Sequence, residues 1–293
     1  MRIFVTGASG WVGSAVVPEL VEAGHEVLGL ARSETSAGKI AAAGGKPVRG
    51  DLGELGVLQA TAAACDGVIH LAFVHDFSRL ADSIATDRRV IEALGVELEG
   101  SGKPFVVTSG TPTHPGRMAI EGDRGTAESP MAGREANAEL ALAMAERGVR
   151  SCVVRLPRVV HGDGDRHGLV PRLIRVAREN ELSGYVGDGS ARWPAVHVRD
   201  AGRLYVRAVE QAPAGSVLHA VADQGIPTLE IAEALGAGLG LPVAARPAAD
   251  FGFLGPILSV DQPASSEYTG ELLGWQPVEP GLIEDLGKEH YFG

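Results

Sequence analysis

Cysteine is nearly absent: the 293-residue chain carries two, Cys65 and Cys152, each inside an apolar stretch. A disulfide framework or a thiolate metal site needs more cysteines at closer spacing, so both read as buried free thiols of a reducing compartment. Lysine is also scarce, confined to Lys39, Lys46, Lys103 and Lys288. Positive charge is outweighed overall, 26 Lys and Arg against 37 Asp and Glu giving a formal charge of −11. Nucleic-acid binding draws most of its affinity from clustered cations, so no nucleic-acid partner is expected. No run approaches the roughly 18 to 20 apolar residues that span a bilayer. Met1 leads directly into the apolar stretch Ile3 to Val5 and a glycine-rich turn, without a basic leader region. His114, His167 and His197 show neither i, i+4 nor His-Glu-x-x-His spacing, and no metal is expected. The expectation is a cytoplasmic protein with no membrane partner, acting on a small molecule, with room for a homodimer.

What is present is a globular composition, 45% hydrophobic and 22% charged, long enough for one large core or two fused ones. Short β-branched runs alternate with alanine-rich helical patterns in the first half, the mark of βαβ units and a parallel sheet. Strands are expected over 2–6, 26–31, 47–49, 67–72, 105–109 and 151–156, with helices over 12–23, 34–43, 55–64, 80–98 and 134–147. Runs apolar throughout, such as Gly67-Val-Ile-His-Leu-Ala72, fit a sheet covered on both faces. After Pro157 the elements shorten and are broken by Gly and Pro, as in Gly162-Asp-Gly-Asp165. The predicted fold is α/β: a Rossmann-type doubly wound parallel sheet with a smaller C-terminal substrate lobe. A dinucleotide-binding part over 1–157, completed by about 198–222, is expected to interleave with a lobe made of 158–197 and 223–293.

The strongest signal is Thr6-Gly-Ala-Ser-Gly-Trp-Val-Gly13, which follows a predicted strand and opens a predicted helix. Gly7 permits a tight turn, Gly10 lets backbone N–H groups approach a pyrophosphate, and Gly13 lets the helix pack closely on the strand. Cofactor choice follows from charge. NAD sites commonly place an acid at the end of the second strand, where this chain has Ala31 followed by Arg32 and Ser33. Without repulsion toward a 2′-phosphate and with a permanently charged fork beside it, NADP(H) is expected, with NAD(H) as the alternative.

The Gly-x-x-Gly-x-x-Gly spacing resembles that of the extended short-chain dehydrogenases/reductases, the NAD-dependent epimerase/dehydratase-like group. The resemblance continues through Val48-Arg-Gly-Asp-Leu52, Val68-Ile-His-Leu-Ala72 and Leu272-Leu-Gly-Trp-Gln-Pro277, spanning essentially the whole chain. It implies cofactor contacts from Gly7, Ser9, Gly10, Trp11, Val12, Gly13, Arg32, Ser33, Asp51, Leu52, Leu71, Ala72, Phe73, Arg134 and Pro157. It also implies a Tyr-x-x-x-Lys pair after the fifth strand, and here the chain departs: Tyr185, Tyr205 and Tyr268 are followed four residues on by Gly189, Val209 and Leu272, and Tyr291 lies too near the end. Arg134, in Ser129-Pro-Met-Ala-Gly-Arg-Glu135, is the best replacement for the lysine, and a register shifted by one puts Glu135 there instead. The tyrosine position then falls on Pro130 or Met131, neither able to donate a proton.

Ser109 and Thr111, at the end of the fifth strand, and His161, after the sixth, are the remaining catalytic candidates, two hydroxyls to bond a carbonyl oxygen and an imidazole to move a proton near neutral pH. Tyr185, Arg192 and Trp193 are candidates to line the substrate pocket, with core packing an equal reading for Trp193, and Asp200 is a candidate to cap the next helix. The resulting expectation is an NADPH-dependent oxidoreductase that transfers a hydride to a small carbonyl or imine. A nucleotide-sugar epimerase or dehydratase and a non-catalytic NADP(H)-sensing regulator are the alternatives.

Overall fold

The structure, a computed structural model, describes residues 1–114, 116–126 and 131–292. The first half runs β1 (Arg2–Thr6), α1 (Gly13–Glu22), β2 (Glu26–Ala31), α2 (Glu34–Ala42), β3 (Lys46–Arg49), α3 (Leu55–Ala63), β4 (Gly67–His70), α4 (Leu80–Leu98), β5 (Pro104–Gly110), α5 (Ala132–Ala143) and β6 (Arg150–Leu156). The second half runs β7 (Val159–His161), α6 (Leu169–Glu179), β8 (Ser183–Val186), β9 (Arg192–His197), α7 (Val198–Gln211), β10 (Ser216–His219), β11 (Asp223–Pro227), α8 (Thr228–Leu239), β12 (Val243–Arg246), α9 (Gly255–Leu258), α10 (Glu267–Leu273) and α11 (Leu282–Leu286).

Seven strands form one parallel sheet in the order β10-β6-β5-β4-β1-β2-β3. This is the Rossmann-type doubly wound arrangement, in which the strand order reverses between β1 and β4 and opens a crevice at the strands' C-terminal ends. The strands are near-continuous aliphatic runs because both faces are covered; β4 and most of β5 are buried residue after residue. On one face Val16, Val17 and Leu20 of α1 meet Leu204, Tyr205 and Ala208 of α7 over Ile3, Val5 and Ile69. On the other, Leu58 of α3, Val90, Ile91 and Leu94 of α4, and Ala138 and Ala141 of α5 close over Phe4, Val68 and Phe105. The stripes of α1, α4, α5 and α7 are the apolar sides of amphipathic helices, whereas α3 is apolar nearly all round, and burial of apolar surface contributes about 25 cal/mol per Å².

Cys65 and Cys152 are free and buried in these layers, where burial pushes their thiols up to about 11 and about 12. Strands β7, β9 and β11 make a second sheet, and β8 pairs with β12. A third core around Trp193, Leu173, Ile231 and Leu282 fills this region. Among the described residues no helix is long and apolar enough to cross a membrane.

Two expectations are corrected here. Trp193 is fully buried in the third core, where it borders a small cavity with Leu173 and Ile231, and Arg192, expected at the substrate pocket, is spent on Asp261 at 2.9 Å. Asp200 does not cap α7: His197 does, its Nδ1 accepting from the Arg199 N–H at 3.3 Å. Asp200 is fully enclosed and instead accepts the Val278 and Glu279 N–H groups and pairs with Arg203, fastening the C-terminal segment to the sheet.

Candidate active site

The turn from β1 into α1 sits at the strand-order reversal. Gly7 has φ +71, and a Cβ there would stand 2.7 Å from the Ala72 nitrogen. A Cβ on Gly13 would meet the Gly7 carbonyl oxygen at 2.3 Å, and the Gly10 N–H donates to that same oxygen at 2.9 Å. The loop is therefore a cradle that any side chain at these positions would fill, with Gly10 exposed and no side chain capping the first turn of α1. Open amides at a helix start suit a pyrophosphate. Ser9 is half-buried beside them, and Val12 packs against the core under α1. Trp11 donates its indole N–H to the Val160 carbonyl at 2.9 Å, tying the cradle to the chain beyond β6.

Beneath the cradle runs a buried polar chain. Thr6 Oγ1 donates to His70 Nδ1 at 2.6 Å, His70 Nε2 donates to Asp87 at 3.1 Å, and the Asn137 amide donates to Asp87 at 2.7 Å. Burial pushes the Asp87 carboxyl upward, but the bonds and charge from His70 and Asn137 outweigh it and leave the group below its ordinary value. This chain fastens β1, β4, α4 and α5 to one another directly under the crevice.

At the C-terminal end of β2, Ala31 is buried, Arg32 is exposed, and Ser33 caps α2 by accepting the Ser36 N–H at 3.1 Å. Arg49 pairs in register with Ala31 and forms an ion pair with Glu34. Sequence reading missed this second guanidinium; the signal lay in the parallel register of β2 and β3. Asp51 spends Oδ1 on the Gly53 N–H at 2.7 Å and stays exposed, while Leu52 packs under α3.

Phe73 follows β4 through half-buried Leu71 and Ala72. The Arg134 guanidinium lies over the Phe73 ring, 4.1 Å from its centroid, and Nη2 reaches the Thr108 carbonyl at a long 3.5 Å. Burial lowers the Arg134 pKa against the opposing charge of Asp87, and its Nε is enclosed with no partner among the described residues. Glu135 points elsewhere, to Arg155 Nη2 at 2.5 Å, so Arg134 is the residue that faces Phe73. Of the two residues at the missing tyrosine's position, Pro130 lies outside the described residues, as does Ser129, and Met131 precedes α5.

Ser109 and Thr111 are buried at the end of β5, and Thr111 Oγ1 has no partner among the described residues. Tyr205 is sealed beneath them, 2.7 Å from Thr108 Oγ1, its phenol pushed far up by burial. Pro157 is buried where β6 ends.

His161 keeps its Nε2 enclosed and without a partner among the described residues. It is fully enclosed, its Nδ1 donating to Asp285 at 2.9 Å, and Asp285 also accepts from the Tyr291 hydroxyl at 3.0 Å. A second imidazole, that of His75, stands beside Phe73. Its ring stands edge-on to Phe73 at 5.3 Å, and burial followed by the charge of Arg134 lowers its pKa below the ordinary histidine value. Sequence reading passed over His75 because it lies in an irregular loop with no motif around it.

Comparison with known proteins bears on the family and the fold. The family model for the NAD dependent epimerase/dehydratase family matches residues 3–220. An uncharacterized protein of Schizosaccharomyces pombe is 47% identical over 300 residues, covering 100% of both chains. A 2-alkyl-3-oxoalkanoate reductase of Stenotrophomonas maltophilia is 30% identical over 261 residues, covering 83% of this chain and 77% of its own. The solved structure of MoeE5 in complex with UDP-glucose and NAD shares the fold, with a TM-score of 0.79 at 24% identity over 99% of this chain and 97% of that one.

Proposed function

Because the chain belongs to the NAD dependent epimerase/dehydratase family, we propose that it is an NADPH-dependent reductase of a small ketone or imine. Family members are NAD(P)-dependent oxidoreductases, epimerases and dehydratases. The glycine cradle and the open amides of α1 fit a dinucleotide. Gly7, Ser9, Gly10, Trp11, Val12 and Gly13 would hold its pyrophosphate. Arg32, Ser33, Asp51 and Leu52 would hold the adenosine half, and Leu71, Ala72, Phe73, Arg134 and Pro157 the nicotinamide half. When bound in reduced form, the cofactor supplies a hydride to the substrate's carbonyl or imine carbon.

The observation that carries the reading is the buried hydroxyl of Thr111 at the end of β5, without a partner among the described residues, on the same strand end whose Thr108 carbonyl Arg134 approaches. Such a donor suits an oxygen on which negative charge develops, and fixed donors in a dry site are worth more than in water. Ser109 adds a second hydroxyl. His75 delivers the proton, and since its pKa is held down, its protonated form grows as pH falls. Epimerisation and dehydration begin with removal of a hydroxyl proton by a base, for which the enclosed Tyr205 is unsuited. The relative named as a 2-alkyl-3-oxoalkanoate reductase acts, by that name, on a ketone, which favours reduction.

The test is NADPH oxidation by the purified protein with a panel of small ketones and imines, followed over pH. Turnover that rises as pH falls below about 6.5, with the rise abolished in His75→Gln, is the expected result. Intact NADPH binding with no oxidation by any panel member would overturn the reading in favour of a cofactor-sensing protein.

A further inference from the structure

Arginines in the interior of this chain are mostly spent on acids or on helix ends: Arg155 on Glu135, Arg203 on Asp200 and Glu279, and Arg150 on the carbonyls closing α7. Arg158 is different. It follows β6 at the C-terminal edge of the sheet, half-buried, and among the described residues its guanidinium meets only neutral groups. Nε donates to Gln262 Oε1 at 2.7 Å, Nη1 donates to the Ile257 carbonyl at 2.9 Å, and the Trp193 ring lies 5.4 Å away. Burial brings its pKa down to about 10 with no acid opposing the shift. A desolvated cation without a counter-ion is costly, and a fold keeps one when something else brings the opposite charge.

The same side chain is wired to the end of β5. Gln262, itself buried, donates its amide to the Thr111 carbonyl at 2.6 Å, so Arg158, Gln262 and Thr111 form one hydrogen-bonded chain. Two members of that chain retain unused donors among the described residues: the enclosed Thr111 hydroxyl and Arg158 Nη2. Two of the three guanidinium nitrogens are already fixed, so the remaining edge is held in one orientation before any ligand arrives. An arginine fork held in this way suits a planar carboxylate better than a point cation would.

We propose that Arg158 is the recognition site for a carboxylate carried by the substrate, which is therefore an oxo acid whose carbonyl lies toward Thr111. The inference takes from the reductase reading only the location of the substrate carbonyl at the end of β5.

The probes are acetoacetate and its methyl ester, titrated calorimetrically into wild-type protein saturated with NADP+, with the melting temperature and NADPH affinity recorded for each variant. Tighter binding of the acid than of the ester by about 10- to 100-fold, the range of one charge-assisted bond, is expected. That preference should vanish in Arg158→Gln and return in part in Arg158→Lys, with NADPH affinity unchanged. Equal binding of acid and ester by the wild type, binding of neither, or equal weakening of both in Arg158→Gln alongside a lower melting temperature would overturn the proposal and leave Arg158 a strut between β6 and α9. The wild-type comparison decides even where the glutamine variant does not fold. NADPH oxidation separates the two readings. Reduction of the ester with no acid preference sinks the carboxylate site and keeps the reductase, whereas Arg158-dependent binding of the acid without oxidation does the reverse.

Discussion

A carboxylate at position 31 would repel a 2′-phosphate, and the chain places a buried methyl there, with exposed Arg32 next in sequence and Arg49 across the strand pair. The charge arithmetic favours NADPH in the proposed reading. A charge-assisted bond contributes about 1.5–3 kcal/mol, so Arg32→Ala is expected to weaken NADPH binding by about 10- to 100-fold and leave NADH binding nearly unchanged. Fluorescence titration of both cofactors checks this; equal losses for the two would remove Arg32 from the 2′-phosphate. Arg49 is half-committed to Glu34, so Arg32→Ala/Arg49→Ala should lose more than the single variant. Ala31 and Arg32 were legible because the end of one strand is read directly from its run. Arg49 was not, since its place beside Ala31 depends on which residues of two separate strands fall opposite each other.

Elements were legible where one period dominated. The strands at 2–6 and 26–31 and the helix at 80–98 stand at the predicted bounds, because aliphatic runs and a long amphipathic stripe leave little choice. The predicted strand over 67–72 ends at His70, where its pairing with Thr6, the last residue of β1, ends. Side chains with two available partners were harder to place. Asp200 looked like a helix cap, yet the segment that returns 78 residues later supplies better donors. His161 reads as a catalytic candidate, and its partner Asp285 lies too far away in sequence to be anticipated. The β1–α1 turn carries a sharp test, since a Cβ at position 13 would collide with backbone on both the Gly7 and Ala8 sides. Gly13→Ala is expected to cost about 3 kcal/mol, lower the melting temperature by about 5–10 °C and abolish NADPH binding. Gly56, in α3, has open space at its Cβ position and serves as control. Gly56→Ala should leave stability equal or slightly higher, by about 0.5–1 kcal/mol.

For the whole molecule, the C-terminal segment decides whether the second core stays joined to the sheet. Residues 278 and 279 hang on Asp200, and α11 carries Asp285 to His161 and Tyr291, whose hydroxyl also accepts the Gly162 N–H at 2.9 Å. Asp285 is thus a buried carboxylate holding together β7, the loop after it and the chain end. Burial opposes its ionisation, but the His161 bond and charge and the Tyr291 hydroxyl outweigh burial and bring its pKa down to about 2 from 3.8. A depressed carboxylate stabilises the fold above its unfolded pKa, and that contribution fades as pH falls from about 4 toward 2. The shift corresponds to about 2 kcal/mol. Urea unfolding of wild type and Asp285→Asn should therefore differ by a constant amount from pH 7 to 5, on the order of 2–4 kcal/mol, with the gap closing below about pH 4. A gap that stays constant into acid would show that the carboxylate's charge contributes nothing and that only its shape and hydrogen bonds matter. A closing gap would mean that the ionised Asp285 is what joins the chain end to β7, the strand whose Val160 carbonyl receives the Trp11 indole from the glycine cradle.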